Sequence, residues 1–252
     1  MERLRRDHLP PDLQPLLAAS GFDGCIAVQA RQSLTETEWL LGLARQFSFI
    51  RGVVGWVDLR SPAVDGQLRR FAADPKLVGV RHVVQDEPDD AFVLGTDFQR
   101  GIARLRDFDL AYDLLIYPRQ LPAAIRLVEA FPNQRFVLDH LAKPLVKEGR
   151  ISPWREDFRR LAQSPNVLCK VSGLVTEAAW NQWKSADFTP YLEVAFEAFG
   201  PDRLMIGSDW PVCTVSAEYG AAIRLVTDHL ASWTAEAREK VLGANAARFY
   251  GI

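Results

Sequence analysis

The apolar positions along this chain fall into short runs separated by longer amphipathic stretches. Seven runs read as strands: Cys25–Gln29, Gly52–Val57, Leu77–Val84, Asp113–Tyr117, Arg135–His140, Val167–Ser172 and Leu204–Asp209. In the last of them, Leu204 to Ile206 follow the turn signal Gly200-Pro201-Asp202 and lead into Gly207-Ser208-Asp209-Trp210-Pro211. Brief, apolar strands of this kind suit a parallel sheet covered on both faces. Between them the spacing predicts helices over 12–20, 35–47, 67–73 and 97–108, and one carrying Ile125, Leu127 and Val128. Two more, over 221–229 and 235–242, close the chain. Thr35-Glu36-Thr37-Glu38 has the form of a capping box at the start of the second helix.

Successive strands begin roughly 22 to 37 residues apart, the size of βα units. A doubly wound dinucleotide fold should show GxGxxG after its first strand, and nothing of the kind follows Val28. The pattern therefore predicts an α/β protein of the (β/α)₈ barrel type, with seven strands legible where eight are needed. No linker, low-complexity tract or compositional break divides residues 1–252, so one domain is expected.

Composition narrows the function classes. A net charge of -2 and the absence of a Lys/Arg cluster argue against a nucleic-acid partner. The charged start, Met1 to Asp7, is not a signal peptide, and no apolar run reaches membrane-spanning length. Cys25, Cys169 and Cys213 form no CxxC pair, which fits reduced thiols in a cytoplasmic protein.

In a barrel, functional side chains gather at the C-terminal strand ends. Five successive strands here end in polar groups: Arg81 and His82; Tyr117 and Arg119; Asp139, His140 and Lys143; Lys170 and Ser172; and Asp209. Each has a structural alternative, such as a satisfied core histidine, a surface ion pair, a strand-end lysine reaching solvent or a helix cap. Their accumulation points to a site. Alternation along a strand puts His140 on the face of Leu138 and Asp209 on the face of Gly207 and Met205, and it turns Asp139 outward toward the helices.

The stretches "FVLDHLAKP", "NVLCKVSGLVTEA", "FGPDRLMIGSDWPVC" and "LGANAARFYGI", with "VGWVDL" and "VGVRHVVQDEPDD", resemble the amidohydrolase superfamily over nearly the whole chain. The similarity is to its metal-dependent-hydrolase-like branch, which contains L-fuconolactonases and L-rhamnonolactonases. The resemblance implies a distorted (β/α)₈ barrel that hydrolyses lactones or related esters of sugar acids. His140 and Asp209 match the family's catalytic histidine and aspartate. His82, Tyr117, Arg119, Lys143, Lys170 and Trp210 match positions that would face substrate. Family members begin with a strand ending in a His-x-His pair. None of His8, His82, His140 and His229 forms one here, and one missing strand agrees with the count of seven. Either the coding start lies upstream, or the barrel has an open seam exposing the edges of Cys25–Val28 and Leu204–Asp209.

On this reading Asp209 takes a proton from water and later returns it to the leaving oxygen, while His140 polarises the carbonyl or orients the water. The resemblance implies either one divalent, zinc-like ion, with His140 and Asp209 as candidate ligands, or no metal at all. The expected partner is a small sugar-acid lactone, and a homo-oligomer is allowed. Two other readings stand beside it: a non-oxidative decarboxylase of the same superfamily, and an impaired remnant that binds sugar acids or a partner.

Overall fold

Seven parallel strands lie side by side in chain order in the computed structural model, which describes residues 2–252; Met1 lies outside them. They are β1 (Cys25–Val28), β2 (Ile50–Gly55), β3 (Leu77–His82), β4 (Ala111–Leu114), β5 (Phe136–Leu138), β6 (Val167–Val171) and β7 (Leu204–Ile206). Each pairs with the next, and among the described residues no pairing joins β7 back to β1. The sheet curls like a (β/α)₈ barrel short of one strand.

The helices follow the strands: α1 (Pro10–Ala19) ahead of β1, then α2 (Leu34–Gln46), α3 (Val64–Ala72), α4 (Thr96–Leu105), α5 (Leu121–Ala130), α6 (Trp154–Ala162), α7 (Ser185–Phe199) and α8 (Tyr219–Thr227). The cap of α2 is Ser33, whose hydroxyl accepts from the Glu36 amide at 3.1 Å, two residues earlier than the Thr35 box predicts. The stretch expected as one closing helix is broken into α9 (Ala235–Glu239), a π-helical turn over Lys240–Ala244 and α10 (Asn245–Tyr250). Asn245 sits at that break and donates to the carbonyls of Pro201 and Leu204, both at 2.7 Å, tying the turn to the start of β7.

Two apolar clusters result. The larger lies between the sheet and its helices. The smaller fills the bottom of the barrel interior, where Val54, Val78, Ala111, Val137 and Met205 meet Phe249 and Tyr250 of α10. Above this apolar floor the interior is ionic. Arg81, Asp113, Asp139 and Lys170 come from β3, β4, the end of β5 and β6. Asp139 is held by Arg81 Nη1 at 2.8 Å and by Lys170 Nζ at 2.8 Å. Lys170 also bonds Asp113, which accepts from the Tyr250 hydroxyl at 3.0 Å. Burial opposes the charge on Lys170, yet Asp113 and Asp139 together hold its ammonium well above the usual lysine range. Burial also opposes ionisation of Asp139, but Lys170, Arg81 and His140 outweigh it and keep the carboxyl well below its ordinary value.

Asp139 therefore faces inward, on the face of Val137, and not outward toward the helices as expected. Alternation itself holds, since Val137 packs into the barrel interior and Leu138 toward the helices; what differs is which face of β5 is the inner one.

Candidate active site

At the top of this interior the chain turns left-handed. His140, Leu141, Ala142 and Lys143 all have positive φ, between 53° and 56°, and the Lys143 amide bonds the His140 carbonyl at 2.7 Å. None of the four is glycine, so each residue costs about 1–2 kcal/mol relative to a right-handed backbone. Such strain persists only where the surroundings over-determine it, and it concentrates at functional sites. Here Leu141 and Ala142 are fully buried, and Trp154 donates to the Leu141 carbonyl at 2.7 Å. Asp209 also has positive φ, 54°.

The turn swings His140 away from the face of Leu138 and toward β7. Its Nε2 stands 3.6 Å from Asp209 Oδ1, and its Nδ1 is 2.8 Å from Ser172 Oγ. The ring rests on Gly173, whose φ of 67° and missing side chain make the close approach possible: a Cβ there would stand 2.7 Å from the imidazole. Burial pushes the His140 pKa down despite the nearby carboxylates of Asp209 and Asp139, so the ring is neutral at neutral pH. At 3.6 Å the imidazole and carboxylate are too far apart for a direct hydrogen bond. That spacing lets both address one and the same third atom.

Three expected site residues stand beside this pair, and three stand apart from it. Lys143, itself part of the left-handed turn, sets its ammonium 3.8 Å from Glu177 Oε1 and 5.4 Å from the centre of the Tyr117 ring. Trp210 follows Asp209 directly and packs edge to face against His8 at 5.3 Å. Arg119 also lies over the Tyr117 ring, 5.1 Å from its centre, but is spent on Asp90 at 2.6 Å and the Gln85 carbonyl at 3.1 Å, at the surface. Lys170 lies in the ionic layer below, largely buried and committed to two buried carboxylates. His82 lies among the helices: it accepts from Trp56 Nε1 at 3.3 Å, pairs with Glu87 at 2.7 Å and stacks on Phe92. Both its ring nitrogens are occupied.

Glu177 was not among the residues singled out by the strand-end pattern. It sits beyond the end of β6, past the short turn Leu174–Thr176, where counting strand ends no longer helps. The only signal for it is its presence in the stretch "NVLCKVSGLVTEA".

A catalytic zinc takes three protein ligands. Among the described residues no group of three or more His, Cys, Asp or Glu side chains could hold a metal ion, and His140 with Asp209 supplies two donors. The donor set on these residues does not fit a metal centre.

A curled parallel sheet with a neutral histidine facing a carboxylate at its strand ends defines a barrel hydrolase. Its family follows from comparison: the Amidohydrolase family model matches residues 2–252, and the chain belongs to that family. It is similar to an L-fucono-1,5-lactonase of Burkholderia multivorans, 42% identical over 260 residues that span 99% of this chain and 88% of that protein. It is also 38% identical over 256 residues to an L-fucono-1,5-lactonase of Burkholderia ambifaria, spanning 100% of this chain and 88% of that one. A crystal structure of a Burkholderia multivorans amidohydrolase with bound Zn superposes with a TM-score of 0.96 at 42% identity, over 100% of this chain and 91% of that one. No helix among the described residues is long and apolar enough to cross a membrane.

Proposed function

We propose that this hydrolase opens the lactone of a sugar acid, of the kind named for its Burkholderia relatives, with Asp209 as general base. The observation that carries the reading is the 3.6 Å spacing of Asp209 Oδ1 and His140 Nε2. Water held against Asp209 loses a proton to it and attacks the ring carbonyl carbon. When the Ser172 hydroxyl donates to Nδ1, the hydrogen of the neutral imidazole lies on Nε2, facing Asp209. There it donates to the carbonyl oxygen as negative charge builds on it. The carbon–oxygen bond of the ring then breaks, leaving a carboxylic acid and an alkoxide that must gain a proton.

Lys143 and Tyr117 supply a cation and a phenol to the hydroxyls of the sugar, and the Trp210 ring offers an apolar face to its carbon skeleton. In the neighbouring solved amidohydrolase a zinc ion is bound. In this chain His140 and Asp209 supply two donors where a catalytic zinc takes three protein ligands.

Incubating the purified chain with L-fucono-1,5-lactone and following acid release tests the reading. Turnover above the spontaneous rate is expected, and Asp209→Asn should lower it by about 10²–10⁴-fold while the unfolding temperature holds. No turnover by the unaltered chain, or full activity in Asp209→Asn, would overturn it.

A further inference from the structure

The imidazole of His140 has a different neighbour on each ring nitrogen. Asp209 Oδ1 stands 3.6 Å from Nε2, and Ser172 Oγ stands 2.8 Å from Nδ1. A neutral imidazole carries one hydrogen, on one nitrogen or the other. While Asp209 is ionised, its charge favours the hydrogen on Nε2. That preference ends when Asp209 takes a proton from water, which is when the carbonyl oxygen most needs a donor.

The surroundings of Ser172 supply a second preference, one that the reaction leaves untouched. Ser172 follows β6, is 5% exposed, and among the described residues its hydroxyl has His140 Nδ1 as its one hydrogen-bond partner. Gly207, which follows β7, closes on its other side: a Cβ on Gly207 would stand 3.0 Å from Ser172 Cβ and 3.3 Å from Oγ. A serine hydroxyl has a single proton. With Nδ1 bare, that proton goes to Nδ1 and both groups are satisfied. With a hydrogen on Nδ1, the hydroxyl accepts it and its own proton is left buried without an acceptor, which is the costly state. The contact therefore favours one tautomer without help from Asp209.

We propose that Ser172 is the positioning residue that keeps the hydrogen of His140 on Nε2 throughout turnover, including the interval in which Asp209 is neutral. This deepens the lactonase reading and rests on it for the carbonyl contact alone; the tautomer belongs to the resting protein. Burial keeps the imidazole neutral, so the choice between its two nitrogens exists at neutral pH. Ser172 and Gly173, consecutive in the chain, divide the support of the ring: one fixes where its hydrogen lies and the other where the ring itself lies.

Long-range proton–nitrogen correlation spectra report which ring nitrogen carries the hydrogen, with the His140 signals identified by their loss in His140→Gln. Asp209→Asn stands for the protonated aspartate. With Ser172 in place, His140 should remain the Nε2–H tautomer in that variant; adding Ser172→Ala should give a mixture of the two tautomers. Loss of Nε2–H in Asp209→Asn alone, or its full retention in the double variant, would overturn the proposal. Should the double variant fail to fold, kinetics of the single Ser172→Ala variant decide. On L-fucono-1,5-lactone its kcat should fall by about 10–10²-fold with KM held within about twofold, and parental kcat would overturn the proposal. An unaltered chain without turnover would end the lactonase reading, while the spectra would still settle the tautomer.

Discussion

The His140 ring lies directly on the α-carbon of Gly173, so closely that a single methyl group would occupy the same space. The imidazole is thus fixed from below by a missing side chain, from one edge by Ser172, and from behind by the left-handed turn that carries it.

Gly173→Ala should consequently damage activity more than folding. The positive φ costs about 1–2 kcal/mol once a Cβ is present, and the ring must also move. For a chain of this size that amounts to a drop in unfolding temperature of about 2–4 °C per kcal/mol. Turnover should fall at least about tenfold, since a shift of an ångström at a catalytic group is that costly. Steady-state kinetics beside a thermal melt make the comparison, and a variant as active as the parent would show that the Gly173 contact does not set the ring.

Acid should destabilise the protein before its carboxylates titrate. Burial pushes both His140 and His82 below the ordinary histidine value of 6.5, although Asp209 and Glu87, respectively, pull the other way. Once the pH falls below 6.5 the unfolded chain binds protons that the folded chain resists. Stability is therefore present above that value and is lost as the pH drops. Urea unfolding between about pH 7.5 and about pH 5 should show this slope, and His140→Gln should flatten it. A slope unchanged in that variant would place the proton uptake elsewhere.

The ionic layer gives a stability prediction with a built-in control. Lys170→Met leaves Asp113 and Asp139 in the interior without their shared cation, and breaking a buried pair in this way costs about 3–5 kcal/mol. Lys170→Met with Asp113→Asn should recover part of that loss, because one of the stranded charges is gone. Denaturant melts of the two variants check it, and a single variant as stable as the parent would mean that water reaches these groups.

The order of elements, the parallel sheet and the meeting of His140 with Asp209 at one end of it were legible, because short apolar runs and polar strand ends are local signals. Orientation was not. "DHLAK" contains no glycine, so nothing in it announces four left-handed residues, and a strand buried on both faces does not show that Val137 and Asp139, rather than Leu138, face the interior. Asp113 reads as the first residue of a strand because a buried acid is improbable until its partners are known, and those partners come from β6 and α10. Lys170 and His82 look like substrate ligands for the same reason: their consumption by Asp113, Asp139 and Glu87 is a fact of tertiary contact. Helices α6 and α7 escape the pattern, with Pro153 at the N-cap of one and Pro190 inside the other.

The quartet of interior charges has a consequence for assembly. Arg81, Asp113, Asp139 and Lys170 come from four neighbouring strands, and each finds its partner only when its strand is seated at the correct height. A strand that slipped by one position would thrust its charge into aliphatic packing and orphan the others. Misaligned sheets are thereby priced out during folding, and the pocket above inherits a foundation with a single permitted alignment.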